Sequence, residues 1–300
     1  MQRRALRNVA IIAHVDHGKT TLIDVLLRES GLFRDNQKVA ERAMDSNDLE
    51  KERGITILAK VTSVEWQSEE TPPTRINIVD TPGHADFGGE VERILNMVDG
   101  AVVLVDAAEG PMPQTKFVVG KALAMGLRPI VAINKIDKPE ERHEAVIDEV
   151  FELFDALGAT DEQLDFPILY GSAKQGWMNA DPAAGGGDMG PLLDLIVRHV
   201  PEPKVEEGPF RMLATTIEAD NFLGRILTGR ISSGTVKANQ TVRALDRNGK
   251  LIEEGRIAKV LAFRGLERTP IDEGRAGDIV ALAGLQKATV ADTIVLPGVT

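Results

Sequence analysis

Between residues 8 and 200 the chain alternates short apolar runs with longer amphipathic stretches, the rhythm of βα units around a mostly parallel sheet. The pattern predicts strands at 9–13, 76–79, 101–105, 129–133 and 167–170, all short, aliphatic and rich in β-branched residues, as strands buried on both faces should be. A longer strand at 57–66 belongs at a sheet edge. Helices are predicted at 19–28, 87–97, 114–124, 143–157 and 191–199. Segment 30–54 is charged without a steady period and segment 181–190 is rich in Gly and Ala, so both read as loops. Past Pro201, Pro203 and Gly208 the pattern changes to short strands separated by turn dipeptides at Ser233-Gly234, Asn248-Gly249 and Glu273-Gly274. The expected architecture is an α/β domain with a mostly parallel central sheet over 1–203, followed by an all-β barrel over 204–300.

Charge narrows the picture. With 35 basic and 46 acidic residues the net charge is -11, which excludes coating of nucleic acid by bulk electrostatics. Local RNA contacts would have to come from Arg3, Arg4 and Arg7, or from Arg256, Lys259, Arg264, Arg268 and Arg275, and each is more simply an ordinary solvated charge. No apolar run reaches the roughly eighteen residues of a membrane span, and the first apolar stretch leads straight into a polar loop rather than a cleavage site. The chain has no cysteine, hence no disulfide framework and no thiolate chemistry, which fits a reducing compartment. A cytoplasmic protein without membrane contact is expected.

The chemistry begins where the first predicted strand meets the first helix. The connecting AHVDHGKTT resembles a phosphate-binding loop, although Ala13 stands where the strict pattern has its first Gly. In that context Asp16, His17, Gly18, Lys19, Thr20 and Thr21 wrap phosphates: backbone N–H groups and the helix N-terminus face the anion, Lys19 reaches the outer phosphates and Thr20 offers its hydroxyl to Mg²⁺. Further elements follow in order, each at the carboxyl end of a predicted strand or in a loop beside one, where open α/β sheets hold ligands. Asp80 is placed to hold Mg²⁺ through a water, with the Gly83 amide on a γ-phosphate. Asn134, Lys135, Ile136 and Asp137 form a base-reading loop whose carboxylate accepts from the N1 and 2-amino groups of guanine, a donor pair adenine lacks. Ser172, Ala173 and Lys174 suit backbone contact with the guanine O6. Thr56 offers a second hydroxyl to Mg²⁺ while the γ-phosphate is present, making segment 30–56 an order–disorder switch. The expected ligands are therefore GTP and GDP with Mg²⁺.

Longer strings narrow this further. DSNDLEKERGITILAK at 45–60, DFGGEVERI at 86–94, PMPQT at 111–115, DEQLDFPI at 161–168 and His84 after Asp80-Thr81-Pro82-Gly83 resemble the BipA/TypA branch of the translational GTPases over essentially the whole chain. Ala13 fits, because elongation factor G and its relatives have Ala there and Tu-type factors Gly. The short interval between Asp137 and Ser172 leaves no room for the extra subdomain of elongation factor G, and the LepA branch lacks PMPQT and DEQLDFPI. The resemblance implies that His84 is the catalytic residue orienting the attacking water past a hydrophobic gate of Val15 and Ile55. It makes Asp16 a candidate to hold a monovalent cation or fix the loop. It implies a ribosome-stimulated GTPase acting in translation or ribosome assembly under stress or cold, with the ribosome as partner, ppGpp as a candidate competitor and a monomeric state. The alternative is a GTP-dependent ribosome-docking switch in which hydrolysis only times release. An ATP-using P-loop kinase is disfavoured by the Asn134–Asp137 loop. Relatives of this kind continue with further domains beyond the barrel, so the chain reads as the front half of a longer protein, with weakened ribosomal stimulation expected.

Overall fold

The apolar run ahead of the phosphate loop becomes strand β1 (Ala5–Ala13), buried from Asn8 onward. This computed structural model describes residues 5–30, 60–81, 88–265 and 267–299, which fall into two compact units, residues 1–202 and 203–300. In the first unit β1 is joined by β2 (Lys60–Trp66), β3 (Thr74–Asp80), β4 (Gly100–Asp106), β5 (Arg128–Asn134), β6 (Ile168–Ser172) and β7 (Trp177–Asn179). They form one sheet in the order β2-β3-β1-β4-β5-β6-β7. The five inner strands are parallel, and the antiparallel β2 and β7 close the edges. The edge position of β2 follows the expectation for 57–66, whose first three residues lie outside the described ones. β7 was not anticipated, because three residues are too few to show a period.

Helices α1 (Lys19–Glu29), α2 (Gly88–Leu95), α3 (Pro113–Ala124), α4 (His143–Ala156) and α6 (Gly190–His199) lie where the 3.6-residue pattern predicts them. The single-turn α5 (Asp161–Leu164) was missed; it forms because Thr160 and Gln163 make a reciprocal capping box. A 3-10 turn over 182–184 interrupts the expected loop at 181–190. Alternation along each strand divides its side chains between two faces. Val9 and Ile11 join Leu22, Ile23, Leu26 and Leu27 of α1 and Leu192, Leu193, Ile196 and Val197 of α6 in one core. On transfer scales each such aliphatic side chain contributes about 1.5–3 kcal/mol. On the rest of the sheet α3 packs on β1 and against α2 and α4.

The turn of the β2–β3 hairpin is clasped to α6 by a single carboxylate oxygen. Asp194 Oδ1 accepts from Trp66 Nε1 (2.7 Å), Ser68 Oγ (2.7 Å) and Thr71 Oγ1 (2.8 Å). Partial burial alone would raise this carboxyl, but the three donors and Arg198 hold it below the usual carboxylate range. Asp194→Ala is expected to cost about 2–3 kcal/mol, since it strands three donors at once. Urea denaturation checks this, and an unchanged midpoint would show the clasp to be ornamental.

The second unit is all-β: β8 (Arg211–Leu213), β9 (Thr216–Asp220), β10 (Gly224–Ser233), β11 (Thr235–Lys237), β12 (Thr241–Leu245), β13 (Leu251–Arg256), β14 (Lys259–Arg264), β15 (Glu267–Ile271), β16 (Glu273–Arg275), β17 (Ile279–Ala283) and β18 (Thr293–Val295). Nine strands make one sheet with β9 and β17 on opposite edges of β10, and β11 pairs with β16. Along β9-β10-β17-β14-β15 a flat sheet would hold the outer strands about 19 Å apart at ~4.8 Å per spacing. Instead Arg268 on β15 and Glu218 on β9 form an ion pair, so the sheet curls back on itself. One core inside it draws on Phe210, Leu227, Val242, Val260, Val280 and Ile294. Glu273-Gly274, expected to be a turn, lies within β16; an added Cβ at Gly274 would come 3.0 Å from Ile231 Cδ1, so this glycine serves close packing rather than chain reversal. Among the described residues no helix is long and apolar enough to cross a membrane.

Candidate nucleotide site

Because β3, β1, β4, β5 and β6 run in parallel, their carboxyl ends emerge along one side of the sheet. β1 lies at the point where the strand order reverses, with β3 on one side and β4 on the other. Residues 14–18 leave its end and turn into α1 through two left-handed residues, Asp16 (φ 65) and Gly18 (φ 99). A Cβ at Gly18 would stand 2.5 Å from Asn134 Nδ2, so both its conformation and its surroundings demand glycine.

Lys19 opens α1, and its side chain is nearly buried. Its ammonium pairs with Asp80 Oδ1 (2.5 Å) and donates to the Thr81 carbonyl. Asp80, 1% exposed, ends β3 in register with Ile11, and Thr81 Oγ1 donates to the Ile11 carbonyl (2.8 Å). Thr20 is half-buried in the first turn of α1. Its hydroxyl follows Lys19 in the chain and the Asp80 carboxylate pairs with that lysine; both are hard oxygen donors, the chemistry Mg²⁺ takes from a protein when substrate oxygens and waters complete its shell. Among the described residues no cluster of three or more His, Asp or Glu could hold a metal by itself.

The base-reading loop is tied to the phosphate loop through Asn134. This side chain, 2% exposed, donates to the His17 carbonyl (2.8 Å) and accepts from the Ala173 amide (2.8 Å), joining three loops with one residue. Lys135 (φ 64) reaches back to the Asp16 carbonyl (2.6 Å) and to Asp106 Oδ2 (2.6 Å). Asp106 ends β4 opposite Asn134. Burial would raise its carboxyl, but Lys135 and the amides of Ala108 and Glu109 outweigh that and hold it below the usual range, so it stays ionised. Burial, aided by His14, lowers the His17 imidazole against the opposing pull of Asp106 and Glu109. The neutral ring accepts at Nδ1 from the Asp106 amide (3.4 Å), which leaves Nε2–H to donate to Glu109 (3.2 Å).

Ser172 ends β6, and its hydroxyl accepts from the Gln175 amide (3.2 Å). The Ile136 amide donates to the Gly171 carbonyl (3.2 Å), stitching the base-reading loop to β6. Asp137 is exposed, with Gln175 Nε2 at 3.4 Å from its Oδ2. Thus Gly18, Lys19, Asp80, Asn134, Lys135, Ser172 and Ala173 come together, whereas Thr21 and Lys174 stand exposed and Val15 half-buried. Ile55, Thr56, Gly83 and His84 lie outside the described residues. Asp106, Glu109 and Gln175 carry no motif and were missed; an acid closing the seven-residue buried run of β4 was the one available signal for Asp106. Of the basic candidates, Arg3 and Arg4 lie outside the described residues, Arg7 binds the Val197 carbonyl and Glu202, and Arg268 and Arg275 pair with Glu218 and Glu273. These pairs offset the charge of Arg7, Arg268 and Arg275, while Arg256, Lys259 and Arg264 stand exposed.

Comparison with known proteins gives the family. Residues 4–202 match the family model of the elongation factor Tu GTP binding domain, and residues 224–295 match that of elongation factor Tu domain 2. The chain is 55% identical over 290 residues to the large ribosomal subunit assembly factor BipA of Escherichia coli K12, covering 96% of this chain and 47% of that protein. The namesake from Haemophilus influenzae is 55% identical over 293 residues, 97% of this chain and 47% of its own length. That from Buchnera aphidicola is 52% identical over 293 residues with the same coverage. The chain spans about half the length of the curated relatives it matches. It therefore belongs to the translational GTPases that carry the elongation factor Tu GTP-binding domain, and what it matches among them is the N-terminal half of BipA.

Proposed function

We propose that the chain binds GTP at the carboxyl ends of β1, β3, β5 and β6, hydrolyses it to GDP and phosphate, and serves a protein that acts on the ribosome. The observation that carries the reading is the bridge made by Asn134, which ties a lysine-bearing phosphate loop to a base-reading loop at one sheet edge. Neither loop alone distinguishes a GTPase from other phosphate binders; the hydrogen-bonded linkage of the two supports that reading.

In the proposed reaction water attacks the γ-phosphorus in line, the bond to the β–γ bridging oxygen breaks, and GDP leaves with the electron pair. Such transfer needs positioning and charge stabilisation more than covalent help. Lys19 and the Gly83 amide neutralise charge on the outer phosphate oxygens, and His84 orients the water. Thr20, Thr56 and Asp80 would hold Mg²⁺, which would supply further charge compensation to the phosphates when bound. Asp137 selects guanine. The relatives' description as large ribosomal subunit assembly factors supports the ribosome as partner and subunit assembly as the setting; action in translation, or under cold or stress, is part of the proposal.

Displacement of a fluorescent GDP tests the ligand: GTP and GDP should compete and ATP should not. Hydrolysis measured with and without ribosomes tests the reaction, in this chain and in one extended through the further domains of its relatives. The His84→Ala form of the longer chain should bind GTP as its parent does while gaining no turnover from ribosomes. Equal competition by ATP, or undiminished stimulation in the His84→Ala form, would overturn the corresponding half of the proposal.

A further inference from the structure

Gln175 stands just past the Ser172–Lys174 loop, and its backbone N–H donates to both Ser172 Oγ (3.2 Å) and the Ser172 carbonyl (3.1 Å). Its side chain spans two groups. Trp177 Nε1–H donates to Gln175 Oε1 at 3.0 Å, and Gln175 Nε2 donates to Asp137 Oδ2 at 3.4 Å. The direction of the amide is decided by its inner partner. An indole N–H only donates, so the amide oxygen faces Trp177 and the amide nitrogen is left to face the carboxylate. Trp177 is 4% exposed and pairs across β6–β7 with Ser172, so the anchor belongs to the body of the domain while Asp137 stands in an exposed loop.

A free aspartate at a loop tip turns about two torsions, and only some orientations aim both oxygens at the same ligand edge. One oxygen held from behind removes much of that freedom. A carboxylate has roughly four acceptor sites, so the contact with Gln175 leaves enough for two donors of a base.

We propose that Gln175 is a positioning residue for guanine selectivity: anchored by Trp177, its amide orients the Asp137 carboxylate so that both oxygens meet the N1–H and the 2-amino group. This rests on the reading of Asp137 as the guanine acceptor. Loss of the orientation should cost mainly the second contact, the one that distinguishes guanine from hypoxanthine, which has N1–H but no 2-amino group. The Trp177–Gln175–Asp137 relay thus acts on base choice rather than on the phosphates.

Affinities of the 300-residue chain for GDP and for IDP, its hypoxanthine counterpart, test this in the parent, Gln175→Met and Trp177→Phe proteins. Gln175→Met keeps the side-chain length and removes the donor. It should weaken GDP about fivefold and leave IDP within about twofold, the scale of a weak bond to an exposed charged group. Trp177→Phe should shift the GDP/IDP ratio the same way, because the amide is then free to turn over. A GDP/IDP ratio in Gln175→Met equal to the parent's, with an equal melting temperature, overturns the proposal; Gln175 is exposed, so this variant decides even if Trp177→Phe melts early. Asp137→Asn separates the two levels. If it leaves GDP binding intact, the base reading itself fails. If it weakens GDP strongly while Gln175→Met leaves the ratio unchanged, only the positioning role falls.

Discussion

Lys19→Met is expected to lower GTP and GDP affinity by at least about a hundredfold, the loss of two or so charge-assisted contacts to phosphate oxygens. The same change should lower the stability of the nucleotide-free chain, for a reason separate from binding. The ammonium forms an ion pair with Asp80, which is 1% exposed, and it also satisfies the Thr81 carbonyl. Removing the cation of a buried pair takes away the charge compensation of the carboxylate, at a cost of about 3–5 kcal/mol. Adding Asp80→Asn in the Lys19→Met background should recover most of the stability, because the amide is neutral, while nucleotide affinity stays low. Urea denaturation and GDP titration on the single and double variants separate the two effects as a double-mutant cycle. A Lys19→Met chain that binds GDP like its parent would end the phosphate-loop reading. A double variant no more stable than the single one would show that the Asp80 charge is not what Lys19 compensates.

How far the fold could be read from the residues depended on the range of the signal. β1, the turn at Gly18 and the start of α1 follow from adjacent residues: an aliphatic run, a left-handed glycine, then a helix with Leu22, Ile23, Leu26 and Leu27 on one face. The inner strands were visible because burial on both faces erases polar alternation. Features that depend on register were not visible. Asp106 matters because β4 pairs with β5 so that it stands opposite Asn134 and beside Lys135, a relation no local window contains. Gln175 matters because β6 and β7 form a hairpin that brings Trp177 back beside it. At Glu273-Gly274 a local turn signal lost to a tertiary demand, the close approach of Ile231. Of the basic run in the barrel, folding places Arg268 against Glu218, a pairing no local window contains, and Arg275 against Glu273, and leaves Arg256, Lys259 and Arg264 exposed.

Asp137→Asn should lower GDP affinity by about a hundredfold or more and make XDP, the xanthine counterpart, the better ligand. In the proposed contact both carboxylate oxygens accept, one from guanine N1–H and one from the 2-amino group. An amide replaces one acceptor by an NH₂ donor. Facing the 2-amino group, that donor loses a bond to a charged acceptor and adds a donor–donor clash, together about 3 kcal/mol or more. Xanthine carries a carbonyl at C2, which accepts from the same NH₂ while its N1–H still donates to the remaining oxygen. Gln175 favours that orientation, since its Nε2 donor faces Oδ2 and would draw the amide oxygen to its own side, leaving the NH₂ turned toward the base. Because Asp137 is exposed, the substitution should leave the melting temperature close to the parent's. Competition between GDP, XDP and a fluorescent nucleotide measures the exchange directly. If the Asp137→Asn chain still preferred GDP to XDP, guanine would have to be read elsewhere, and the backbone amides of Ser172–Lys174 facing O6 would become the main source of selectivity.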